Sequence, residues 1–352
     1  MTLQKKLIKA LVVDDSLFMR TLISNILESY DDIIVVGTAR DGYDAIEKIH
    51  LLNPDVVTLD IDMPRLDGIG TLGYIMSECP TPVIIISGVM YRNSETTMKA
   101  LDYGAVDFIA KPAGQISLNI RAIEKELIAK IRTVVHVDLK KLPFVLSQKS
   151  PDSSIPLPDL SHKAFPLVII GASTGGPRAI SYLIQHLPVA ALVGSFLIIQ
   201  HMPMGFTLPF ARRLDNLSLM NVTEAEVGNI LTPGSCYVAP AGHHLVLEKQ
   251  KNDIGIHFDD GPKEHGVRPS MSVTLRSAAL LNHPRSICVI LTGMGSDGSD
   301  GCKKMKETGA VIIVQNEESS VVFGMPGAAI KTGCVDEELP LKDIPNRIAD
   351  LM

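Results

Sequence analysis

The sequence predicts an α/β protein with two domains, each built on a parallel sheet. Three observations support this prediction. The chain has 352 residues, which is more than one hydrophobic core usually supports. Short β-branched segments alternate with helical segments in which apolar residues recur every three or four positions. A stretch rich in proline and serine separates two such regions, as is common for linkers between domains.

The first domain is predicted to be a five-stranded, doubly wound parallel sheet of the flavodoxin-like type. Its strands are the segments IKALVV, IIVVG, DVVTL, PVIII and AVDFI, and helical segments such as MRTLISNILESY and YDAIEKIHLL lie between them. Because strand and helix alternate throughout, the strands are expected to run parallel, with helices on both faces. We predict that this domain covers residues 1–136 and that a linker covers residues 137–165.

The second domain, residues 166–352, is predicted to be a mostly parallel α/β domain with a small β-rich insertion. Its buried strands are expected at FPLVIIG, SFLIIQ, SICVIL and AVIIVQ. The helix RAISYLIQHL follows the first of these strands, and Pro177 suits the first turn of that helix. Smaller β-rich segments around SCYVAP and HHLVLE predict an insertion at about 221–257.

Composition and charge exclude several classes of protein. A hydrophobic content of 46% and a charged content of 20% are typical of globular domains. The net charge of -6 argues against a nucleic-acid partner, which normally requires a basic surface. The five cysteines form no CxxC pair, which favours reduced thiols. No secretion signal or spanning apolar run is found, so we expect a cytoplasmic protein without membrane insertion.

Polar side chains are expected to meet at one edge of the first sheet. Asp14 and Asp15 end the first strand, Asp60 ends the third and Ser87 the fourth, while Lys111 follows the fifth. Functional residues of an open parallel sheet gather at the carboxyl ends of its strands. Clustered carboxylates repel one another unless a cation joins them, and Mg²⁺ prefers such ligands. One aspartate alone would be explained as a helix cap, but the five positions together predict a magnesium site that supports a phosphoryl group on Asp60.

This region, at about 7–135, resembles the receiver domain of two-component response regulators through VDDS, LDIDMPRLDG, IISG and FIAKP. The resemblance implies that Asp60 is the phospho-acceptor. It also implies a Mg²⁺ site in which Asp15 and Asp60 are direct ligands and Asp14 contributes through water. Asp62 would contribute its backbone carbonyl. Ser87 and Lys111 match the hydroxyl and lysine that respond to phosphorylation in that family.

The segment GASTG in the second domain matches G-x-S-x-G, which is typical of a nucleophile on a sharp turn and places Ser173 at that position. The pattern alone is weak, because a glycine-rich turn also binds phosphate or simply connects a strand to a helix. A serine nucleophile needs a base with an orienting acid. His201 follows the strand SFLIIQ and is the predicted base. Three other histidines are alternatives: His243, His244 and His265.

The orienting acid is expected in the loop LTGMGSDGSDG, where Asp297 and Asp300 are both candidates. The glycines of this loop allow close approach of its backbone, and we expect the N–H of Met294 to stabilise an oxyanion. A calcium loop is an alternative, but the twelfth position from Asp297 is Thr308, which offers no carboxylate. Serine, histidine and aspartate at the ends of separate strands together favour a nucleophilic site over a simple turn. Their order differs from that of ordinary α/β-hydrolases.

The second domain resembles the catalytic domain of the chemotaxis protein-glutamate methylesterases, the CheB family. The matching segments are IGASTGGP, IIQHMPMGFT, RPSMSVTLRSAA, LTGMGSDG and VVFGMPGAAI. The resemblance implies a serine esterase with Ser173 as nucleophile, His201 as base and Asp297 as orienting acid, without a cofactor. Its substrates would be methyl-accepting chemotaxis receptors, whose glutamines it would also deamidate.

The resemblance also implies regulation of the esterase. A chemotaxis histidine kinase would phosphorylate Asp60, and the unphosphorylated receiver would cover the catalytic cleft until then. Two parts of the sequence depart from the family pattern, KEHGV at 263–267 and Ser272, and we expect both to lie away from the triad. Three other functions remain open at this stage: a non-enzymatic response regulator with a binding module, a DNA-binding protein, and a nucleotide-binding second domain.

Overall fold

The computed structural model describes residues 7–88, 91–111, 116–142, 165–251 and 253–352, and the side chains of residues 91–93 and 116–122 are not described. The chain divides into two compact units, Met1–Leu142 and Pro143–Met352. Most of the predicted linker, residues 137–165, lies outside the described residues. No helix in the described ranges has both the length and the apolar character needed to cross a bilayer.

The first unit is a five-stranded parallel sheet, which confirms the predicted fold class. Its strands are β1 (Ile8–Val13), β2 (Ile33–Ala39), β3 (Val56–Asp60), β4 (Val83–Ser87) and β5 (Asp107–Ala110). Its helices are α1 (Leu17–Glu28), α2 (Gly42–Leu52), α3 (Gly68–Glu78), α4 (Tyr91–Asp102) and α5 (Ile116–Val134). The strand order is β2-β1-β3-β4-β5, and every neighbouring pair is parallel.

Local sequence explains where the helices of this unit begin. Ser16, Asp41 and Asp67 precede α1, α2 and α3, and each side chain accepts a hydrogen bond from a backbone N–H in the first turn. Such caps satisfy donors that have no partner inside the helix. The strands β3 and β4 are buried along their whole length, as expected for β-branched segments covered on both faces. Because β3 and β4 pair in parallel, their carboxyl ends lie at the same edge of the sheet.

The second unit contains a seven-stranded parallel sheet. Its strands are β6 (Leu167–Ala172), β7 (Ser195–Gln200), β8 (Asn221–Glu224), β9 (Ser235–Val238), β12 (Ser286–Ile290), β13 (Val311–Gln315) and β14 (Glu337–Leu339), in the order β14-β13-β12-β6-β7-β9-β8. A separate antiparallel hairpin consists of β10 (His244–Gln250) and β11 (Asp253–Asp259). The helices are α6 (Gly176–Gln185), α7 (Thr207–Leu217), α8 (Met271–Leu280), α9 (Ser299–Glu307), α10 (Gly324–Ile330) and α11 (Ile344–Asp350).

The predicted β-rich insertion at 221–257 is only partly correct. Its first two strands, β8 and β9, extend the main sheet, because β9 pairs with β7 in parallel and β8 pairs with β9. Cys236 and Val238 of β9 are fully buried in this position. Only β10 and β11 form a separate element. The physical reason is that short apolar strands such as β8 and β9 bury more of their surface when they pair with the edge of the main sheet than when they form a separate element.

Gly68 is required where α3 passes beneath the end of β3. A Cβ at this position would lie 2.2 Å from the backbone oxygen of Asp60 and 2.7 Å from Cα of Ile61. Gly73 lies in the same helix, and a Cβ there would meet no atom within 4 Å. The two glycines therefore form a matched pair for substitution by alanine.

We expect Gly68→Ala to destabilise the first unit by about 1–3 kcal/mol, because the backbone of β3 has to move. Gly73→Ala should stabilise it by about 0.5–1 kcal/mol, since alanine is the better helix former. Denaturant unfolding of both variants, followed through a probe in the first unit, measures this. Equal effects of the two substitutions would contradict the close approach.

Candidate functional site

The carboxyl edge of the first sheet carries a compact acidic cluster. Asp14 is fully buried and Asp60 is 3% exposed, while Asp15 is exposed. One side-chain oxygen from each of the three lies within 4.8 Å of the other two. The ammonium of Lys111 lies 2.8 Å from Oδ2 of Asp14 and 2.8 Å from Oδ2 of Asp60. The structure thus brings together four of the residues predicted for the magnesium and phosphoryl site.

Burial and charge oppose each other within this cluster. Burial raises the pKa of Asp60 to about 6, although its hydrogen bond and ion pair with Lys111 act in the opposite direction. Burial alone would lower the pKa of Lys111, but the contacts with Asp14 and Asp60 raise it. Within the described residues, Lys111 is the one ammonium that pairs with these three carboxylates, through Asp14 and Asp60, so negative charge is in excess. Hard oxygen ligands with such a surplus fit a divalent cation such as Mg²⁺.

The other predicted residues of this edge are placed as follows. Ser87 is buried at the end of β4, and its backbone oxygen accepts a hydrogen bond of 2.7 Å from the N–H of Lys111. The side chain of Asp62 is exposed, and its predicted contribution through the backbone carbonyl stays a prediction. Asp14 also organises the turn after β1, because its Oδ1 accepts a hydrogen bond of 2.9 Å from the N–H of Ser16.

In the second unit, Ser173 and His201 directly follow neighbouring parallel strands. Ala172 of β6 is paired with Gln200 of β7, and the N–H of His201 donates to the backbone oxygen of Ala172 at 3.1 Å. The N–H of Ser173 donates to Thr292 beyond β12 at 3.1 Å. Three strand ends therefore meet around the serine, on one side of the sheet. Within the described part of the chain, Ser173 Oγ has no hydrogen-bond partner, as is common before a substrate binds.

Asp297 is the acid that contacts the predicted base. Its Oδ2 lies 2.8 Å from Nε2 of His201, and the two side chains are 2% and 9% exposed. Because a carboxylate only accepts hydrogen bonds, Nε2 carries the hydrogen of a neutral His201. Nδ1 is then the nitrogen with a free lone pair and can act as a base. The alternative acid, Asp300, is 65% exposed and lies 3.9 Å from His265 instead.

The carboxylate of Asp297 is held by the first turns of two helices. Besides His201 it accepts hydrogen bonds from four donors, which are Ser270 Oγ (2.7 Å), Met271 N (2.6 Å), Ser272 N (3.0 Å) and Gly298 N (2.9 Å). Burial would raise the pKa of Asp297, but the hydrogen bond and charge of His201 and the bonds from the α8 end outweigh it, so this pKa lies below its usual range. Helix N-termini favour such an anion.

The expectation that Ser272 and residues 263–267 lie away from the triad is wrong. Ser272 is fully buried, its N–H donates to Asp297, and its Oγ accepts a hydrogen bond of 2.8 Å from the N–H of Gly298. His265 approaches Ser296 Oγ at 3.3 Å, one residue before Asp297. The reason is that α8 packs with its first turn against Asp297, which the spacing along the sequence does not indicate.

The alternative histidines have other roles in the fold. His244 is buried, its Nδ1 accepts a hydrogen bond of 3.1 Å from the N–H of Ser270, and its Nε2 lies 3.1 Å from the backbone oxygen of Pro262. His243 stacks on the ring of Phe258 with centroids 5.4 Å apart. His244 thus supports the residue that caps α8 and holds Asp297, rather than Ser173 itself.

Of two further residues at the site, the sequence analysis predicted Met294 but did not predict Ser270. Met294 is half-buried and follows Gly293, and a Cβ on Gly293 would lie 2.9 Å from the nitrogen of Ser173. The backbone predicted to bind an oxyanion therefore lies against the serine, while the role of Met294 stays a prediction. Ser270 was missed. Its place before the apolar helix segment identifies it as an N-cap, but nothing in the sequence indicates its bond to Asp297.

Comparisons with known proteins cover nearly the whole chain. The family model described as CheB methylesterase matches residues 168–348, and that described as response regulator receiver domain matches residues 10–122. A Syntrophomonas wolfei protein named protein-glutamate methylesterase/protein-glutamine glutaminase 1 is 43% identical and covers 98% of this chain and 99% of its own length. A Pyrococcus abyssi protein, named protein-glutamate methylesterase/protein-glutamine glutaminase, is 41% identical, with coverage of 99% and 94%.

A solved structure is similar to the second unit. The crystal structure of the Thermotoga maritima CheB methylesterase catalytic domain is 40% identical in sequence, with a TM-score of 0.52. The match covers 54% of this chain and 100% of that structure. The fold of the second unit is therefore the fold of that catalytic domain.

Replacing Asp297 by asparagine should lower the stability of the second unit. We expect Asp297→Asn to lower the free energy of unfolding of the second unit by about 1–3 kcal/mol at pH 7. The reason is that the NH₂ group of asparagine would face N–H and O–H donors whose hydrogen bonds the carboxylate accepts. Since the pKa of Asp297 is lowered by folding, the carboxylate stabilises the fold above about pH 4 and loses this effect as the pH falls further.

The difference between wild type and Asp297→Asn should therefore shrink between pH 4 and pH 2. Denaturant unfolding at pH 7, 4 and 2 measures it. A difference that does not change over this range would show that the carboxylate is not the stabilising form.

Proposed function

The chain belongs to the CheB methylesterase family and carries a response regulator receiver domain, and we propose that it removes methyl groups from glutamates of chemotaxis receptors by a serine mechanism. The enzyme is a protein-glutamate methylesterase and protein-glutamine glutaminase. The observation that carries the proposed mechanism is the pair His201–Asp297, whose members lie directly after β7 and in the loop between β12 and α9, while Ser173 follows the neighbouring strand β6.

Ester cleavage would begin at Ser173. Nδ1 of neutral His201 takes the hydroxyl proton while Oγ bonds to the ester carbonyl carbon, which places negative charge on the carbonyl oxygen. Asp297 stabilises the imidazolium that forms, and its own hydrogen bonds keep it ionised. Backbone N–H groups at this turn, with Met294 as the proposed donor, would bind the oxyanion. Each such donor is typically worth about 10²–10³ in rate.

The second half of the reaction releases the product. His201 returns the proton to the leaving oxygen as the C–O bond breaks, and methanol departs from the acyl-enzyme. Water then attacks the acyl carbon with His201 again as the base, which restores Ser173 and leaves a glutamate. A glutamine side chain follows the same route with ammonia as the leaving group. One acyl-enzyme therefore serves both activities.

The receiver is proposed to activate this chemistry when Asp60 is phosphorylated by a chemotaxis histidine kinase. Asp14, Asp15 and Asp60, with the backbone carbonyl of Asp62, would hold Mg²⁺. When bound, the ion offsets the negative charge of the carboxylates and of the incoming phosphoryl group. Lys111 contacts Asp60 directly and would pair with phosphoryl oxygens, and Ser87 would donate its hydroxyl to them.

Substitution of the proposed nucleophile gives a direct test. We expect Ser173→Ala to reduce methanol release from methylated receptor to the background rate, because no acyl-enzyme can form. Ser181→Ala is the matched control, since it removes a buried hydroxyl of α6 that has no hydrogen-bond partner among the described residues. It should retain nearly full activity. Hydrolysis by Ser173→Ala at the wild-type rate would exclude the serine mechanism.

Activation by phosphorylation is tested in the full-length protein. An acyl phosphate with Mg²⁺ should raise the esterase rate of the wild type by roughly 5–150-fold, the usual range of coupling between sites. Asp60→Asn should not respond, since it lacks the acceptor carboxylate. Asp31→Asn, an exposed position before β2, should respond like the wild type. Activation of Asp60→Asn by the phosphodonor would refute the proposed control by Asp60.

A further inference from the structure

A buried glutamine links the backbones that carry Ser173 and His201. Gln200 is the last residue of β7 and is 2% exposed. Its Nε2 donates one hydrogen bond of 3.1 Å to the backbone oxygen of Ser173 and another of 2.9 Å to the backbone oxygen of His201. The same amide group therefore contacts the residues proposed as nucleophile and base.

The orientation of this amide follows from its partners. Both partners are carbonyl oxygens, which only accept hydrogen bonds, so the NH₂ end of Gln200 has to face them. A reversed amide would direct Oε1 at two other oxygens. In the observed orientation Oε1 is buried and has no hydrogen-bond partner within the described residues. Leaving a buried carbonyl unpaired is unfavourable. The side chain of Gln200 therefore makes its two bonds from Nε2 at the cost of leaving its own Oε1 without a partner among the described residues.

Gly176 shows how closely the glutamine fits against the nucleophile turn. A Cβ at this position would lie 2.1 Å from Oε1 of Gln200, so only glycine leaves room for the amide. The N–H of Gly176 also donates to the backbone oxygen of Ser173 at 2.8 Å. That oxygen is thus held from two sides, by the first turn of α6 and by the side chain of Gln200.

We propose that Gln200 is a positioning residue that sets the distance and direction between Ser173 and His201. This inference rests on the proposed function of the two residues. Apart from the amide, the described contacts between the turns after β6 and β7 are the strand pairing that ends at Ala172 and Gln200 and the bond from the N–H of His201 to the backbone oxygen of Ala172. Misplacement of reacting groups by about 1 Å can reduce a rate by roughly 10²-fold. Gln200 itself would not touch the substrate.

Two substitutions remove the donors while keeping the size of the side chain. Gln200→Met deletes both N–H groups, and Gln200→Glu replaces them by an oxygen. Tyr237→Phe is the matched control, since it removes one donor of 2.8 Å to the backbone oxygen of Ile230 in the same unit. Full-length proteins are compared in three measurements: labelling rate by an alkyl fluorophosphonate, kcat and KM on a peptide carrying a glutamate methyl ester, and thermal midpoint.

We expect both Gln200 variants to label and turn over roughly 10²-fold more slowly than wild type, with KM unchanged, because alignment and not binding is lost. Tyr237→Phe should label at the wild-type rate. The proposal is overturned if either folded Gln200 variant labels within twofold of wild type, or if KM rises while kcat is kept. If wild type is not labelled and Ser173→Ala still hydrolyses the ester, the proposed function fails, and the positioning role fails with it.

Discussion

One buried carboxylate holds together the segments that form the proposed catalytic site. Asp297 bonds to His201 after β7, to the first turn of α8 and to the first turn of α9. A buried charge is tolerated only where it is paired and fully hydrogen-bonded. The fold therefore has to bring two helix N-termini and one histidine to the same point. The position of His201, the proposed base, follows from this requirement.

The first unit also buries carboxylates, but there negative charge is in excess over positive charge. Three carboxylates meet at one sheet edge, and among the described residues Lys111 is the cation that pairs with two of them, while burial raises the pKa of Asp60 to about 6. A site with surplus negative charge is suited to receive a cation and a modification. The charge of Asp297 is offset by hydrogen bonds from five donors and not by a cation, because the proposed base His201 is neutral. These bonds hold the pKa of Asp297 below its usual range and keep the carboxylate ionised, as the proposed mechanism requires.

Most of the architecture follows from the sequence because parallel strands have a strong pattern. Continuous apolar segments predicted the central strands, and the residues directly after them gave Asp60, Ser173 and His201. The partners of β8 and β9 did not follow, since four-residue strands carry little pattern of their own. The bonds of Ser270 and Ser272 to Asp297 also could not be predicted, because they depend on the angle at which α8 meets the loop after β12.

The edge strands of the seven-stranded sheet have a consequence for aggregation of the protein. Its outermost strands, β14 and β8, have three and four residues, and they carry Glu337, Glu338 and Glu224. An unpaired strand edge can pair with another chain, and the short length of these strands and the exposed Glu338 oppose such pairing. We therefore expect little edge-to-edge association of the second unit at high concentration.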